Sequence, residues 1–130
     1  MAALEDQPSL EEFETLVEEA LAAFPEEFQR LAFDNLAFVV EDVASAADAA
    51  RAGVRDPMQL LGIYTGVPYT QWGREHFVHA PDIIRIYRLP ILAEVRTGEE
   101  IREKVRNVVL HELGHRAGMG EERLRHLGIY

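Results

Sequence analysis

Residues 111–123 read HELGHRAGMGEER, and the fold and chemistry of the chain depend on how this stretch is arranged. On an α-helix, His111 and His115 are separated by about 400° of rotation and about 6 Å of rise. Their imidazoles then project side by side, at a spacing that suits a single metal ion. Glu112 lies about 100° round the helix, where its carboxylate reaches a water on that ion without binding the ion. This H-E-x-x-H pattern is typical of zinc sites in which the glutamate is a general base.

The residues after His115 offer a third ligand. Catalytic zinc takes three protein ligands and keeps a fourth position open for water. Gly118 permits a sharp turn at the helix end, which would bring Glu121 back toward the ion. We therefore expect His111, His115 and Glu121 to bind the metal. Acids at 121 and 122 also suit the N-terminus of a final helix, so the alternatives are Glu122, His126 or no third protein ligand.

Composition limits the class of protein. A chain of 130 residues, 48% hydrophobic and 28% charged, predicts one soluble globular domain over residues 1–130. It contains no cysteine, which excludes disulfides and thiolate ligands. The N-terminus has no signal-peptide pattern, and no apolar run approaches the roughly 20 residues that span a bilayer. We expect a cytoplasmic protein with no membrane partner.

The charge is acidic and unevenly distributed. The net charge is −10, and residues 1–50 hold thirteen acids and one base. Binding to a phosphate backbone requires a positive surface. The sequence therefore predicts that nucleic acid is not a partner.

Two helices begin with the capping-box pattern S/T-x-x-E. Ser9 and Glu12 precede an apolar stripe that ends at Pro25, with five glutamates outside the stripe. We interpret these acids as a solvent-facing surface on a packed helix, although a lid over the site is an alternative. Thr97 and Glu100 begin the helix that carries the H-E-x-x-H pattern, and this helix is expected to run to Ala117.

The segment between these helices reads as short helices and three strands. Helices are expected from Pro25 to Phe33, after a Ser45 cap, and from Glu121 to Leu127. The predicted strands are 35–42, 59–65 and 82–88, with Ile84 and Ile86 on one face of the third. Residues 69–81 are expected to form a loop. The chain is therefore α+β, in the approximate order α-β-β-β-α.

Other candidate residues for the site have plainer explanations. His76 and His79 form H-x-x-H in the predicted loop, where exposure is the simpler interpretation. Asn107 precedes His111 by one turn and either orients a ligand or faces solvent. Tyr69 and Trp72 either line a substrate groove or anchor the loop.

HELGHRAGMGEERLRHLG resembles the H-E-x-x-H-x-x-G-x-x-D-E-R-L-x-x-L-G ending of the minimal zincin-like metallopeptidases, small bacterial proteins. The resemblance extends upstream to LAFVVED (36–42), LGIYTGVP (61–68) and PDIIRIYRLPIL (81–92). It implies a zincin-like α+β fold: a small three- to four-stranded sheet, mixed or antiparallel, with N-terminal helices and a C-terminal metal helix. By motif position it assigns zinc to His111, His115 and Glu121, with Glu112 as base.

The chain departs from the family pattern at two positions. Glu121 stands where the family usually has Asp, which lengthens the third ligand by one methylene. Arg116 places a charge directly after the motif, and we expect it to face solvent. Only nine residues follow Glu121, so we expect an open cleft.

The leading hypothesis is a zinc-dependent peptidase, in which a peptide substrate pairs with a sheet edge at residues 82–88. The alternative is a metal-stabilised binding or regulatory module with the same fold and little hydrolysis.

Overall fold

The structure, a computed structural model, describes residues 7–66 and 82–126. Its elements in chain order are α1 (Leu10–Ala22), α2 (Glu26–Ala32), β1 (Leu36–Glu41), α3 (Ala46–Arg51), β2 (Gly62–Thr65), β3 (Asp82–Tyr87), α4 (Arg88–Leu92), α5 (Gly98–Arg116) and α6 (Glu121–His126). A 3₁₀ turn at Pro57–Gln59 precedes β2. The predicted α+β class is confirmed, with N-terminal helices and the H-E-x-x-H pattern on the long helix α5.

The sheet has three strands in the order β1-β3-β2. Strand β1 runs parallel to β3, and β2 runs antiparallel to it. The sheet is therefore mixed, which is one of the two forms that the sequence predicted. The buried side chains of Ile84 and Ile86 share one face of β3, as predicted. Both edges of β3 are hydrogen-bonded to neighbouring strands. The prediction that a substrate strand pairs with residues 82–88 is therefore wrong, because β3 has no free edge.

Helix α1 forms where its capping box predicted. Ser9 accepts a hydrogen bond from the Glu12 amide, and the Glu12 carboxylate accepts one from the Ser9 amide. Phe13, Val17 and Ala20 are buried in the main core, while the glutamates of this helix face outward. Helix α1 is thus part of the core, which argues against a lid that swings away from the site.

Helix α5 crosses β2 at close range. Its inner face buries Ile101, Val105, Val108 and Val109 in the same core. A methyl group added to Gly62 on β2 would lie 2.6 Å from Val108 Cγ1 and 2.8 Å from the Arg85 carbonyl. Only glycine permits this approach, which brings the outer edge of β2 alongside the last turns of α5.

Some predicted boundaries shift. The second strand begins at Gly62, because the residues before Leu60 form the 3₁₀ turn. The segment at Pro90, directly after the third strand, is the short helix α4. Proline fits there because it is the third residue, and amides of the first turn have no partner within the helix. Leu127 and the predicted loop at residues 69–81 lie outside the described residues.

Arg116 is buried and does not face solvent, so that prediction is wrong. Its Nε donates to Asp82 Oδ2 at 2.9 Å, and both side chains are almost fully buried. The guanidinium also donates to the carbonyls of Ala32, at 2.9 Å, and Asp34, at 2.6 Å. The end of α5 is therefore fixed to the sheet and to the α2–β1 connection.

None of the described helices has the length and apolar character needed to cross a membrane.

Candidate metal centre

The turn after α5 places the residues that follow the H-E-x-x-H pattern. Gly118 has φ +90°, a left-handed conformation that favours glycine. The Met119 amide donates to the Gly114 carbonyl and the Gly118 amide to the His115 carbonyl, each at 2.9 Å. This pair of hydrogen bonds is a Schellman motif, which ends the helix and reverses the chain. The predicted role of Gly118 in the turn is confirmed.

Helix α6 returns to α5 because Gly114 leaves room for it. A methyl group on Gly114 would overlap Leu124 Cδ2, and Leu124 is fully buried. The absence of a side chain at 114 therefore lets Leu124 pack directly on α5. This contact carries Glu121, at the start of α6, back over the two histidines.

His111, His115 and Glu121 converge on one point. Glu121 Oε2 lies 2.7 Å from His115 Nε2 and 3.0 Å from His111 Nε2. The two Nε2 atoms are 3.2 Å apart. In the described residues these three side chains form a cluster in which each can offer one ligand atom to an ion. Glu122 and His126, the alternative third ligands, are exposed and outside the cluster.

His115 is oriented by the turn that follows it. Its Nδ1 lies 2.9 Å from the Met119 carbonyl oxygen. A carbonyl only accepts, so Nδ1 carries a proton; in the neutral imidazole the lone pair is then on Nε2, the atom that lies in the cluster. Backbone partners of this kind fix the tautomer and ring orientation of metal-binding histidines.

Glu112 lies beside the cluster and is held by the edge of β2. Its Oε1 accepts a hydrogen bond from the Tyr64 amide at 2.8 Å, while Oε2 is 4.0 Å from His111 Nε2. The residue is only 8% exposed. One carboxylate oxygen is thus anchored to the sheet, and the other faces the cluster without belonging to it.

Two carboxyl groups at the site have shifted pKa values in opposite directions. Burial raises the pKa of Glu112, even though His115, His111 and the Tyr64 amide favour its charged form. Burial alone would also raise the pKa of Glu121, but its hydrogen bonds with the two histidines outweigh burial and lower that pKa. Glu121 is therefore disposed to be an anionic ligand, and Glu112 to take up a proton.

The three side chains fit a zinc ion. Nitrogen and oxygen ligands at about 2.0–2.1 Å from tetrahedral zinc lie about 3.3 Å from one another. The observed separations of 2.7, 3.0 and 3.2 Å approach that triangle, so small side-chain rotations suffice to admit an ion. Two imidazoles and one carboxylate are also a donor set that zinc accepts in catalytic sites.

The cluster lies in a cleft of about 420 Å³, which we call the metal cleft. On one side are the end of α3 and the residues after it, including Arg51 and Val54; on the other is the start of α6 at Glu121. Tyr64 and Ile63 of β2 line its floor. A ligand in the metal cleft therefore contacts the cluster and Glu112 together.

The other sequence-based candidates do not belong to the cluster. Asn107 is exposed on α5, in agreement with the solvent-facing alternative. His76, His79, Tyr69 and Trp72 lie outside the described residues. Sequence reasoning missed Gly114, Tyr64 and the Met119 carbonyl. Gly114 was detectable, because a glycine inside a helix usually signals a packing requirement, whereas backbone donors and acceptors leave no trace in the sequence.

Comparison with known proteins agrees with this geometry. The family model described as zincin-like metallopeptidase matches residues 33–129. This match covers most of the chain, from the end of α2 through the H-E-x-x-H helix and α6. The chain belongs to the zincin-like metallopeptidase family. A comparison with curated proteins gave no match.

Proposed function

We propose that the protein is a zinc-dependent peptidase that uses Glu112 as its general base. The observation that carries the proposal is the position of Glu112, buried beside the His111–His115–Glu121 cluster with one oxygen free to face it. Membership of the zincin-like metallopeptidase family supports it.

His111, His115 and Glu121, which all line the metal cleft, would hold the ion. Zinc, when bound there, supplies Lewis acidity to a water molecule and to the carbonyl of the peptide bond. The Met119 carbonyl keeps His115 in the required tautomer, and the turn at Gly118 holds Glu121 in place.

Glu112 moves the proton. Its Oε2 takes a proton from the attacking water as the water oxygen adds to the carbonyl carbon. The same carboxyl then gives this proton to the amide nitrogen as the C–N bond breaks, which yields a free acid and a free amine. The Tyr64 amide keeps the carboxyl in one orientation throughout, because it remains bonded to Oε1.

The test compares zinc-loaded wild-type protein with Glu112→Gln on a mixed library of fluorogenic peptides. General bases contribute roughly 10²- to 10⁴-fold to rate, and we expect a loss in that range with zinc affinity retained. Glu103→Gln, an exposed glutamate on the same helix, is the matched control and should keep full activity.

Two other results would lead to different conclusions. Undiminished cleavage by zinc-loaded Glu112→Gln would show that Glu112 is not the base. If the wild-type protein cleaves no peptide, yet chelation lowers its melting temperature sharply, the metal serves to join α6 to α5. The protein would then be the metal-stabilised binding module of the alternative hypothesis.

A further inference from the structure

The metal cleft continues past His111 into a second cavity of about 220 Å³, which we call the side pocket. The two cavities share four lining residues: Leu60, Gly62, His111 and Glu112. They therefore open into each other beside Glu112, the proposed general base, and His111, a predicted metal ligand. The side pocket extends from there along α5 toward its N-terminus. Anything bound at the cluster therefore has the side pocket directly beside it.

The interior of the side pocket is apolar. Leu60 and Leu61 enter from the residues before β2, and Val108 enters from α5. Gly62 packs so closely on Val108 that strand and helix close the pocket between them. An apolar group that enters it exchanges water for these side chains, and each methylene buried in this way improves binding roughly fourfold.

Glu112 and His111 lie where the side pocket meets the metal cleft, and the remaining charged side chain among its described lining residues, Lys104, already has an ion-pair partner. Lys104 Nζ lies 2.8 Å from Glu94 Oε1. An acidic substrate group would have to compete with Glu94 for Lys104, whereas an apolar group needs no charged partner. The exposed Asn107 completes the rim on α5, about one turn before His111.

We propose that the side pocket selects an apolar side chain, of the size of leucine or methionine, next to the peptide bond that is cleaved. This inference rests on the proposed peptidase function and adds a substrate class to it. The volume of the side pocket, about 220 Å³, suits a single side chain, because pockets for whole drug-sized ligands are about 300–1,000 Å³.

The test measures binding separately from turnover, using two hydroxamic acids that share a zinc-binding group. Acetohydroxamic acid carries a methyl group, and 4-methylpentanohydroxamic acid carries a branched chain long enough to enter the side pocket. With zinc-loaded protein we expect the branched compound to bind at least about tenfold more tightly, from partial burial of its extra carbons. The same protein should cleave library peptides preferentially beside leucine or methionine.

Asn107→Trp fills the side pocket from an exposed rim position, where the fold tolerates a change. It should remove the advantage of the branched compound and leave the affinity for acetohydroxamic acid unchanged. Glu103→Trp, exposed on the same helix but outside the side pocket, is the matched control and should keep the advantage.

Equal affinities for the two compounds in the wild-type protein would overturn the inference, as would an advantage that persists in Asn107→Trp. Peptide cleavage with no apolar preference would also overturn it while leaving the peptidase function intact. A strong preference for the branched compound without any peptide cleavage would support the side pocket and contradict the peptidase function.

Discussion

Arg116 and Asp82 form a buried ion pair that joins the last residue of the metal helix to the first residue of the central strand. Tyr64 donates its hydroxyl to the same Asp82 oxygen at 3.2 Å, and its amide holds Glu112. The position of Glu112 relative to the sheet thus depends on a polar network that lies behind the site. Tyr64 thus connects strand β2 both to Glu112 and to the buried Arg116–Asp82 pair at the end of α5.

Arg116→Leu should destabilise the protein severely. It leaves the Asp82 carboxylate buried without its guanidinium and removes donors from the carbonyls of Ala32 and Asp34. Loss of one partner of a buried pair costs about 3–5 kcal/mol, a large part of the 5–15 kcal/mol that is typical of a domain. We expect urea unfolding to show a loss of this size.

Arg102→Leu is the matched control for this experiment. Arg102 lies on the same helix and pairs with Glu19 at 3.1 Å, but both side chains are well exposed. Exposed pairs contribute about 0–1 kcal/mol, so this variant should remain close to the wild type. Similar losses in the two variants would contradict the importance assigned to burial of the Arg116–Asp82 pair.

Gly114→Ala should weaken zinc binding by about tenfold or more while the helix itself persists. Alanine is favoured over glycine in a helix by about 1 kcal/mol, but here its methyl group overlaps Leu124 and displaces α6 with Glu121. Competition with a chromogenic chelator measures the affinity. Gly98→Ala on the same helix meets only ordinary contacts at 3.6 Å and should bind zinc as the wild type does.

A second substitution distinguishes this clash from other effects of Gly114→Ala. Adding Leu124→Ala makes room for the new methyl group, so zinc affinity should recover in part even though a buried leucine is lost. If the double variant binds zinc no better than Gly114→Ala alone, the contact with Leu124 is not what positions Glu121.

The cap of α5 should make stability depend on pH. Backbone amides of Thr97 and Arg96 donate to Glu100 Oε1, each at 3.0 Å, and lower the pKa of Glu100 below its usual value. A lowered folded-state pKa gives stability that is fully present above the unfolded value of about 4.5 and is lost as the pH falls through the folded value. Glu100→Gln keeps an acceptor but removes the titration.

Melting temperatures of wild type and Glu100→Gln should therefore differ most near pH 6 and converge as the pH falls below the unfolded value of about 4.5. Subtracting the variant removes the contribution of other titrating groups, including the histidines. Glu103→Gln, one turn further along α5 and outside the cap, provides the comparison. A difference between wild type and Glu100→Gln that does not change with pH would show that the charge of Glu100 contributes nothing to the cap.

The features that sequence predicted well are those set by neighbours in the chain. Both capping boxes and the turn at Gly118 depend on residues within a few positions of one another, and all three formed as expected. The side-by-side histidines follow from helix geometry alone. The position of Glu121 beside the two histidines does not follow from helix geometry alone, because it also depends on the packing of Leu124 against Gly114.

The features that sequence missed depend on contacts between distant segments. Arg116 appeared to be a surface charge because its partner Asp82 lies 34 residues away in the chain. The central place of β3 was equally hidden, because alternation of side chains gives a strand's faces but not its neighbours. Because the strand order is β1-β3-β2, residues 82–88 have no free edge for a substrate, and β2 is the strand beside the site.

Glu121→Asp tests whether the longer carboxylate is required in this chain. Glu121 Oε2 reaches both histidine Nε2 atoms, at 2.7 and 3.0 Å, from a backbone fixed by the Gly118 turn and by Leu124. Shortening the side chain by one methylene withdraws that oxygen, so zinc affinity should fall. Glu121→Gln, which keeps the length of the side chain but loses its charge, should lower zinc affinity by more than the 10- to 100-fold typical of residues behind the ligands. Glu122→Asp, an exposed neighbour outside the cluster, should bind zinc normally.

Thermal melts with and without zinc measure the same effect through stability. At a free zinc concentration about 100 times the dissociation constant, binding stabilises the folded state by about 2.7 kcal/mol. Wild type and Glu122→Asp should show this rise in melting temperature, while Glu121→Gln should show little of it at the same zinc concentration. An undiminished rise in Glu121→Gln would mean that the two histidines hold zinc without Glu121, and that its place beside them reflects hydrogen bonding alone.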